Sequence, residues 1–196
     1  FCFVSSIATL SSTKSSDFLN EHSWFSFDEK KSNYAISKYL AEMEVWRGFS
    51  EGLNGFIINP SLIIGPGDAN SLFSNMIKKL KTTTIFYPKG GTGFVDVRDV
   101  ANILIKLEKL KPKNERYIVN GANLSFKDFV EIFSKKMNLS KPKIPIYNLI
   151  IKLYILINKL MNPKNTLSFN MIDFFKSEEK FSNEKIKKEL NYNFIK

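Results

Sequence analysis

Short apolar runs and an amphipathic stretch alternate along the first half of the chain. Phe1–Ser5 and Asn54–Asn59 are short, mainly apolar runs of the kind expected for buried parallel strands. Between them, the spacing of apolar positions predicts a helix from about Asp28 to Phe49. The residues that share one stripe of this helix are Tyr34, Lys38, Ala41 and Val45.

The rest of the chain repeats these patterns and then becomes mainly helical. The predicted elements are a turn at residues 65–68, a helix over 72–80, strands over 84–87 and 94–97, a helix from Asp99 to about Leu110, a strand over 116–120, a helix over 125–137 opened by a capping box at Ser125, a hydrophobic helix over 144–161 and two further helices. Strands that alternate with helices indicate an α/β fold, here with a helical C-terminal cap.

The charge of the chain does not point to a nucleic-acid partner. The net charge is +10, but the lysines are scattered, and arginine occurs only at positions 47, 98 and 116. The sequence has no aromatic RNA-binding signature, no zinc-ligand spacing and no arginine cluster. We therefore interpret the positive charge as a solvated, lysine-rich surface and expect no nucleic-acid binding.

Residue counts exclude other kinds of chemistry. Cys2 and His22 are the only cysteine and histidine, which excludes an intrachain disulfide, a Ser-His-Asp triad and metal sites built from cysteines or from several histidines. We expect Cys2 to pack in a strand, His22 to lie on a loop, and the protein to be cytoplasmic. Residues 144–161 are interrupted by Lys152 and Lys159 and are shorter than the roughly 20 residues of a bilayer span. A buried or groove-lining helix is favoured there over a membrane-surface role.

The strongest chemical signal is the spacing of Tyr34 and Lys38. Residues four apart lie on one face of a helix, so the phenol and the ammonium are expected side by side. A nearby positive charge favours the phenolate form of a phenol, and an ammonium also donates to ribose hydroxyls. The spacing alone is common, and an amphipathic helix with a half-exposed tyrosine would produce it as well.

Two predicted strands end in small polar residues that suit a catalytic cleft. Ser5-Ser6 closes the first strand, and Asn59-Pro60-Ser61 closes the second. In an open parallel sheet, ligands bind outside the carboxyl ends of the strands. A hydroxyl at Ser6 is therefore suited to hydrogen-bond a substrate oxygen and to stabilise the charge that develops on it.

Four motifs occur in order between residues 4 and 101. They are Val4-Ser-Ser6, Tyr34-x-x-x-Lys38, Asn-Pro-Ser-Leu-Ile-Ile-Gly-Pro-Gly-Asp at 59–68 and Phe-Val-Asp-Val-Arg-Asp-Val-Ala at 94–101. Together they resemble the extended short-chain dehydrogenase/reductase family, in particular its NAD-dependent epimerase/dehydratase and dihydroflavonol-reductase-like members. The resemblance implies the C-terminal part of a Rossmann-type doubly wound parallel sheet over residues 1–120, with substrate-domain segments interleaved from about 66. It implies a mainly helical substrate-binding region over 121–196.

The resemblance also implies roles for individual residues. Ser6 polarises the reacting oxygen, Tyr34 is the general acid/base, and Lys38 favours the phenolate and holds the nicotinamide ribose. The cofactor is NAD or NADP, and the implied cofactor-binding residues are Tyr34, Lys38, Asn59, Pro60 and Ser61. The implied substrate is a nucleotide sugar or a small ketone or alcohol, and the family admits a homodimer of the full-length protein.

Two parts of the motifs leave alternatives open. Many family members have Arg-Pro where this chain has Asn59-Pro60, a difference that bears on substrate choice. The motif at 94–101 closes the substrate side in the family. Helix capping and ion pairing explain its charged residues Asp96, Arg98 and Asp99 equally well.

The front of the family pattern is missing from this sequence. Family members begin with a strand, a Gly-x-x-Gly-x-x-Gly loop and a helix whose N-terminus binds the pyrophosphate; the glycines at 90–93 come too late and have different flanks. We therefore expect a fragment without the dinucleotide-binding loop, lacking roughly four βα units of about 30 residues each. The alternative to an oxidoreductase, epimerase or dehydratase is an inactive binding or scaffold module that docks through an exposed sheet edge.

Overall fold

Parallel strands and helices make up the part of the chain that the computed structural model describes, residues 1–11, 18–27, 31–66, 86–139, 144–145 and 177–195. The strands are β1 (Cys2–Val4), β2 (Phe18–Leu19), β3 (Phe56–Pro60), β4 (Leu62–Ile64), β5 (Phe86–Tyr87), β6 (Gly91–Asp96), β7 (Glu115–Val119), β8 (Ala122–Ser125), β9 (Ile144–Pro145) and β10 (Lys180–Phe181). The helices are a 3-10 turn (Ile7–Thr9), α1 (Asn33–Ser50), α2 (Val97–Leu110), α3 (Phe126–Lys136) and α4 (Glu184–Leu190).

The chain forms two compact units that interleave along the sequence. The first comprises Phe1–Gly65, Gly93–Asn123 and Glu179–Lys196, and the second comprises Pro66–Thr92 and Leu124–Glu178. Helices α1, α2 and α4 belong to the first unit. In the second unit, β5 and β9 pair in parallel, and α3 contacts β5.

A parallel sheet in the order β1–β3–β7 forms the centre of the first unit. Ile57 of β3 lies between Phe3 of β1 and Arg116 of β7, and Asn59 lies opposite Ile118. Successive side chains of a strand point to opposite faces of the sheet. Helices cover both of these faces, so the predicted α/β class is confirmed.

One face of this sheet, here called the α2 face, is mainly apolar. The buried members of its cluster are Phe56, Ile58, Val95, Val100, Ile103, Leu107, Tyr117, Val119, Ile186 and Tyr192. Helices α2 and α4 and strands β3 and β7 supply most of this set, Val95 comes from β6, and Tyr192 follows α4. Burial of one large apolar side chain contributes about 1.5–3 kcal/mol, so this cluster is a substantial source of stability.

The opposite face, here called the α1 face, combines smaller apolar clusters with buried polar groups. Ile57 packs with Val45 and Phe49 of α1. A second cluster consists of Ile7, Leu10, Leu19, Ile118 and Phe181. Asn59 and Arg116 share this face through the alternation of side chains, and both are buried.

Side-chain caps fix the ends of two predicted helices. Helix α1 begins at Asn33, later than predicted, because the Ser32 Oγ accepts a hydrogen bond from Ala35 N at 3.1 Å. Helix α3 begins after Ser125, whose Oγ accepts from Asp128 N at 3.0 Å and donates to Asp128 Oδ2 at 2.7 Å, so the N-cap of the predicted capping box is confirmed.

Three sequence predictions need correction. The helix expected to open at Asp99 begins at Val97, because Asp96 is its N-cap residue. Strand β3 continues through Pro60 instead of stopping before it. Strand β1 is parallel as predicted but not buried; Cys2 and Val4 are exposed because β1 pairs only with β3 among the described strands.

Of the remaining predictions, one is confirmed, and others concern residues outside the described part of the chain. His22 lies in an exposed turn, as expected. The first two residues of the hydrophobic helix predicted over 144–161 are instead strand β9, because they pair with β5. The rest of that helix, the helix predicted over 72–80 and the end of the turn at 65–68 lie outside the described residues. Within the described ranges, no helix combines the length and the apolar character needed to cross a membrane.

Candidate active site

Helix α1 carries the predicted acid/base pair near its N-terminus. Ser32 caps the helix, so Tyr34 lies in its first turn and Lys38 lies one turn later. The Tyr34 side chain is 56% exposed. The phenol therefore lies at the surface of the first unit.

The Lys38 ammonium joins α1 to the carboxyl end of β1. Its Nζ donates to the Val4 carbonyl oxygen at 2.7 Å and lies 5.1 Å from the centroid of the Phe3 ring. An ammonium has three donors, so the contact with Val4 leaves capacity for further acceptors. The structure thus brings Lys38 to a residue only two positions before Ser6.

Ser6 follows β1 and caps the 3-10 turn. Its Oγ accepts from Ala8 N at 3.2 Å, while its carbonyl oxygen accepts from Thr9 Oγ1 at 2.9 Å and from Asn59 Nδ2 at 3.0 Å. A hydroxyl has one donor and two acceptor lone pairs, so the contact with Ala8 leaves the O–H of Ser6 able to donate. The backbone of Ser6 is held from two sides, and its side chain is partly exposed.

The segment Asn59–Ser61 meets Ser6 at the carboxyl end of β3, but its polar side chains are directed inward. Asn59 is fully buried, and its Nδ2 donates to Ser6 O and to Thr9 Oγ1. The Ser61 Oγ donates to Val119 O at 3.3 Å. The predicted contact of this segment with a cofactor stays a prediction, and it would have to come from the main chain.

Sequence reasoning missed Glu42, the acceptor that links these segments. Its side chain is fully buried on α1, one turn after Lys38. Three groups lie within hydrogen-bond distance of its Oε2: Ser5 Oγ at 2.5 Å, Thr9 Oγ1 at 3.1 Å and Asn59 Nδ2 at 3.1 Å. Glu42 and Ser6 O are alternative acceptors for the one hydroxyl proton of Thr9. A signal was available, because residue 42 lies four positions after Lys38 and three before Val45, both of which belong to the stripe identified in the sequence.

Arg116 neutralises Glu42. The Arg116 NH2 atom lies 2.5 Å from Glu42 Oε1, and the two side chains are 8% and 0% exposed. Arg116 also donates to Ser23 O at 3.0 Å, and its guanidinium carbon lies 5.6 Å from the Trp46 ring centroid. Buried charges persist when they are paired and hydrogen-bonded. Glu42 and Arg116 therefore form a buried ion pair that adjoins the candidate site.

The charged residues of the motif at 94–101 make contacts within the protein. Asp96 Oδ1 accepts from Arg98 N at 2.8 Å, and Asp96 Oδ2 lies 2.7 Å from Arg98 NH2. These hydrogen bonds with Arg98 lower the pKa of the Asp96 carboxyl. Asp99 is fully buried and accepts from Tyr192 Oη at 2.8 Å and from Ile195 N at 3.1 Å. The structure thus shows this motif in capping, pairing and packing contacts.

The first 120 residues, which include every site residue described above, match one family model. It is the model of the NAD-dependent epimerase/dehydratase family, and the match runs over residues 1–120. The chain belongs to this family. The resemblance found in the sequence motifs is therefore confirmed.

Curated relatives of this epimerase/dehydratase family member include several reductases. The chain is 33% identical over 119 residues to tetraketide alpha-pyrone reductase 1 of Arabidopsis thaliana, covering 58% of the chain and 35% of that protein. It is 32% identical over 109 residues to cinnamoyl-CoA reductase 1 of Petunia hybrida, covering 54% and 33%. It is 28% identical over 143 residues to cinnamoyl-CoA reductase 2 of A. thaliana, covering 68% and 43%. The chain spans less than half the length of each relative.

Solved structures of similar fold extend the match to the whole chain. The crystal structure of gox2253 superposes with a TM-score of 0.80 at 25% identity, covering 98% of this chain and 61% of that one. A nucleoside-diphosphate-sugar epimerase from Pseudomonas aeruginosa also gives a TM-score of 0.80, at 16% identity, covering 100% and 61%. The Rossmann-type epimerase/dehydratase fold is therefore confirmed.

Proposed function

We propose that this family member carries the catalytic residues of an NAD(P)-dependent oxidoreductase that acts on a small ketone, aldehyde or alcohol. The observation that carries the proposal is the meeting of three motif segments at the carboxyl ends of β1 and β3. Lys38 donates to Val4 O beside Ser6, and Asn59 donates to Ser6 O. This end of an open parallel sheet is where ligands bind in such folds.

In this proposal, each of the three residues handles a proton or a charge. Tyr34 gives a proton to the substrate oxygen or takes one from it. The Ser6 hydroxyl donates a hydrogen bond to the same oxygen and stabilises the charge that develops there. Lys38 supplies an ammonium on the same helix, one turn after Tyr34, that is available to a ribose hydroxyl.

The residues present fit the nicotinamide ribose of a dinucleotide. The Lys38 ammonium has donors beyond its contact with Val4, and ribose hydroxyls accept hydrogen bonds. Tyr34 is exposed on the same helix. The Asn59–Ser61 segment would contribute main-chain contacts, since the side chains of Asn59 and Ser61 are bonded within the protein. When bound, the nicotinamide supplies or accepts the hydride.

The relatives support a small carbonyl compound ahead of a nucleotide sugar as substrate. The matched curated proteins are named as a tetraketide alpha-pyrone reductase and as cinnamoyl-CoA reductases. The nucleoside-diphosphate-sugar epimerase resembles the chain at 16% identity, which supports the fold alone. We therefore place carbonyl reduction first, and epimerisation or dehydration of a nucleotide sugar second.

The test is Tyr34→Phe in the protein expressed from the full reading frame that contains this sequence. Turnover is measured on a panel of ketones, aldehydes and nucleotide sugars with NAD(H) and NADP(H). Loss of a general acid/base is expected to lower kcat by about 10²–10⁴-fold. The unfolding midpoint should change little, because the Tyr34 ring is more than half exposed.

The matched control is Tyr39→Phe, which removes a phenol hydroxyl from the same helix. Tyr39 stacks on Phe25 with ring centroids 4.4 Å apart, and phenylalanine preserves that stack. Tyr39→Phe should therefore keep the parent's kcat. A Tyr34→Phe enzyme as active as the parent would refute the catalytic assignment. A parent that binds no dinucleotide and turns over no substrate would favour the inactive binding or scaffold module.

A further inference from the structure

One buried carboxylate contacts every segment that borders the candidate site. The donor groups within hydrogen-bond distance of the Glu42 carboxylate are Ser5 Oγ, Thr9 Oγ1, Asn59 Nδ2, Arg116 Nη2 and Trp46 Nε1, at distances from 2.5 to 3.4 Å. The first two donors lie on either side of Ser6 in the chain, and the third is bonded to Ser6 itself. The environment of Ser6 is therefore organised around Glu42.

Successive turns of α1 hold successive residues of the β1 end. Lys38 donates to the Val4 carbonyl oxygen at 2.7 Å, and Glu42 accepts from Ser5 Oγ at 2.5 Å. The Ser5 backbone is tied to β3 through its N–H, which donates to Ile58 O at 2.8 Å. Ser6 is the next residue, so its place relative to α1 is set by contacts immediately before it.

The donors are also bonded to one another, which joins them in one buried network; Asn59 Oδ1 and Arg116 Nε are the atoms of these side chains with no hydrogen-bond partner among the described residues. Asn59 Nδ2 donates to Thr9 Oγ1 at 2.9 Å, and Thr9 Oγ1 lies within hydrogen-bond distance of Ser6 O and of Glu42. Several hydrogen bonds that converge on the same few groups restrain the positions of those groups. Movement of the turn that follows β1 would break several of these bonds together.

We propose that Glu42 is a positioning residue for Ser6. It holds the turn after β1 against α1, so that the Ser6 hydroxyl keeps a fixed position relative to the helix that carries Tyr34 and Lys38. This inference rests on the proposed function, because it requires Ser6 and Tyr34 to act on one substrate. Arg116 supplies the opposite charge that pairs with the Glu42 carboxylate in the interior.

The test compares Glu42→Gln with Asp99→Asn. Glutamine has nearly the same shape but turns an NH2 group toward donors, so the contacts with Ser5, Thr9 and Asn59 are disrupted. Asp99 is the matched control: a fully buried carboxylate in the same unit that contacts Tyr192 and the Ile195 amide. Both variants are assayed well below their own unfolding midpoints.

Glu42→Gln is expected to lower kcat by about 10²-fold with little change in KM, because a displacement of roughly 1 Å between reacting groups costs that much. Asp99→Asn should keep kcat close to that of the parent. Ser5→Ala is a milder variant that leaves the ion pair intact, and it should lower kcat in the same direction by a smaller factor. It keeps the test decisive if Glu42→Gln does not fold.

Hydrogen exchange gives a readout that does not depend on turnover. The amides of Thr9 and Leu10 donate to Ser6 O and Ile7 O within the turn. In Glu42→Gln and in Ser5→Ala, these amides should exchange faster relative to the amides of β3. In Asp99→Asn, the ratio of the exchange rates of these amides to those of the β3 amides should match that of the parent, because a general loss of stability accelerates exchange in both sets of amides.

Equal kcat values for the folded Glu42→Gln and Asp99→Asn enzymes would overturn the positioning role, as would an unchanged exchange ratio. In either case, the loss of activity in Tyr34→Phe would still uphold the proposed function. A Tyr34→Phe enzyme with the parent's kcat overturns both proposals.

Discussion

The two faces of the β1–β3–β7 sheet bury different kinds of side chain. On the α2 face, residues such as Ile103 and Leu107 are completely buried in an apolar cluster. On the α1 face, Asn59 and Arg116 of the sheet and Glu42 of α1 are buried as well. Charged and amide side chains thus occupy buried positions on the α1 face, whereas apolar side chains fill the buried positions on the α2 face.

The two faces also differ in the donors that surround their fully buried carboxylates. Asp99 is bound by the Tyr192 hydroxyl and the Ile195 amide, which are neutral donors from the C-terminal segment. Glu42 is bound by a guanidinium and by donors next to Ser6. Replacing a buried ion pair by apolar residues is often neutral or stabilising. If Glu42 positions Ser6 as proposed, the polar α1 face serves the arrangement of the site more than it serves stability.

The largest expected effect on stability comes from leaving Glu42 without its cation. Arg116→Met removes the guanidinium and leaves a buried, unpaired carboxylate. Breaking a buried pair in this way costs about 3–5 kcal/mol of the free energy of unfolding. The change is measured by urea denaturation of the parent and the variant.

The double variant Glu42→Gln/Arg116→Met is the control for this prediction. It removes both charges, so it should be more stable than Arg116→Met alone. If the double variant lost the sum of both single losses, the two residues would not act as a pair. The two faces would then differ only in the types of residue that they bury.

A comparable effect is expected from a cavity on the α2 face. Ile103→Ala removes a side chain that is fully buried in the apolar cluster, which costs about 2–5 kcal/mol. Ile105→Ala on the same helix is the matched control, because Ile105 is 55% exposed. Hydrogen exchange of the Thr9 amide relative to β3 should stay at the parent's value in both variants. A raised ratio in Ile103→Ala would show that the α2 face also positions Ser6.

The sequence predicted the features that depend on local pattern. Apolar runs revealed β1 and β3, and the Ser-x-x-Asp pattern revealed the start of α3 at Ser125. The spacing of Tyr34 and Lys38 placed both residues on one helix, as the structure confirms. Each of these features is encoded within a few residues, so periodicity and capping rules are sufficient.

The features that the sequence did not reveal depend on distant partners. Glu42 pairs with Arg116, 74 positions away, and no local rule connects them. Asp96 and Asp99 are both acceptable helix caps, and the choice was predicted wrongly. Asp96 is the cap that pairs with Arg98, while Tyr192 binds Asp99 from the C-terminal segment. A local contact with Arg98 thus accompanies the cap at Asp96, and tertiary contacts engage Asp99.

A smaller effect is expected when the neutral donor of Asp99 is removed. Tyr192→Phe keeps the ring but deletes the hydroxyl that donates to Asp99 Oδ1 at 2.8 Å. A hydrogen bond to a charged group contributes about 1.5–3 kcal/mol, and urea denaturation should show a loss in this range. Since Asp99 is remote from the contacts of Ser6, kcat should be unchanged. A fall in kcat without a fall in stability would give the motif at 94–101 a role at the site.

The smallest expected effect is a loss of stability at alkaline pH that arises from the α2 face. Burial and the hydrogen bond to Asp99 raise the pKa of Tyr192, and burial and the hydrogen bond to Glu189 raise the pKa of Tyr117. A phenol with a higher pKa in the folded state contributes its full stabilisation below its unfolded pKa of about 10. That contribution is lost as the pH rises through the folded pKa, because the unfolded chain then releases the proton more readily.

Urea denaturation on either side of about pH 10 checks this expectation. The free energy of unfolding should fall with pH in the parent and fall less steeply in Tyr117→Phe and Tyr192→Phe, which have no phenol to ionise at those positions. Thr9→Val, on the α1 face, removes a hydroxyl that does not titrate and should keep the parent's slope. If the free energy of unfolding fell equally steeply with pH in all four proteins, the loss of stability at alkaline pH would come from groups outside the α2 face. The two faces would then differ in how they hold the site but not in how they respond to pH.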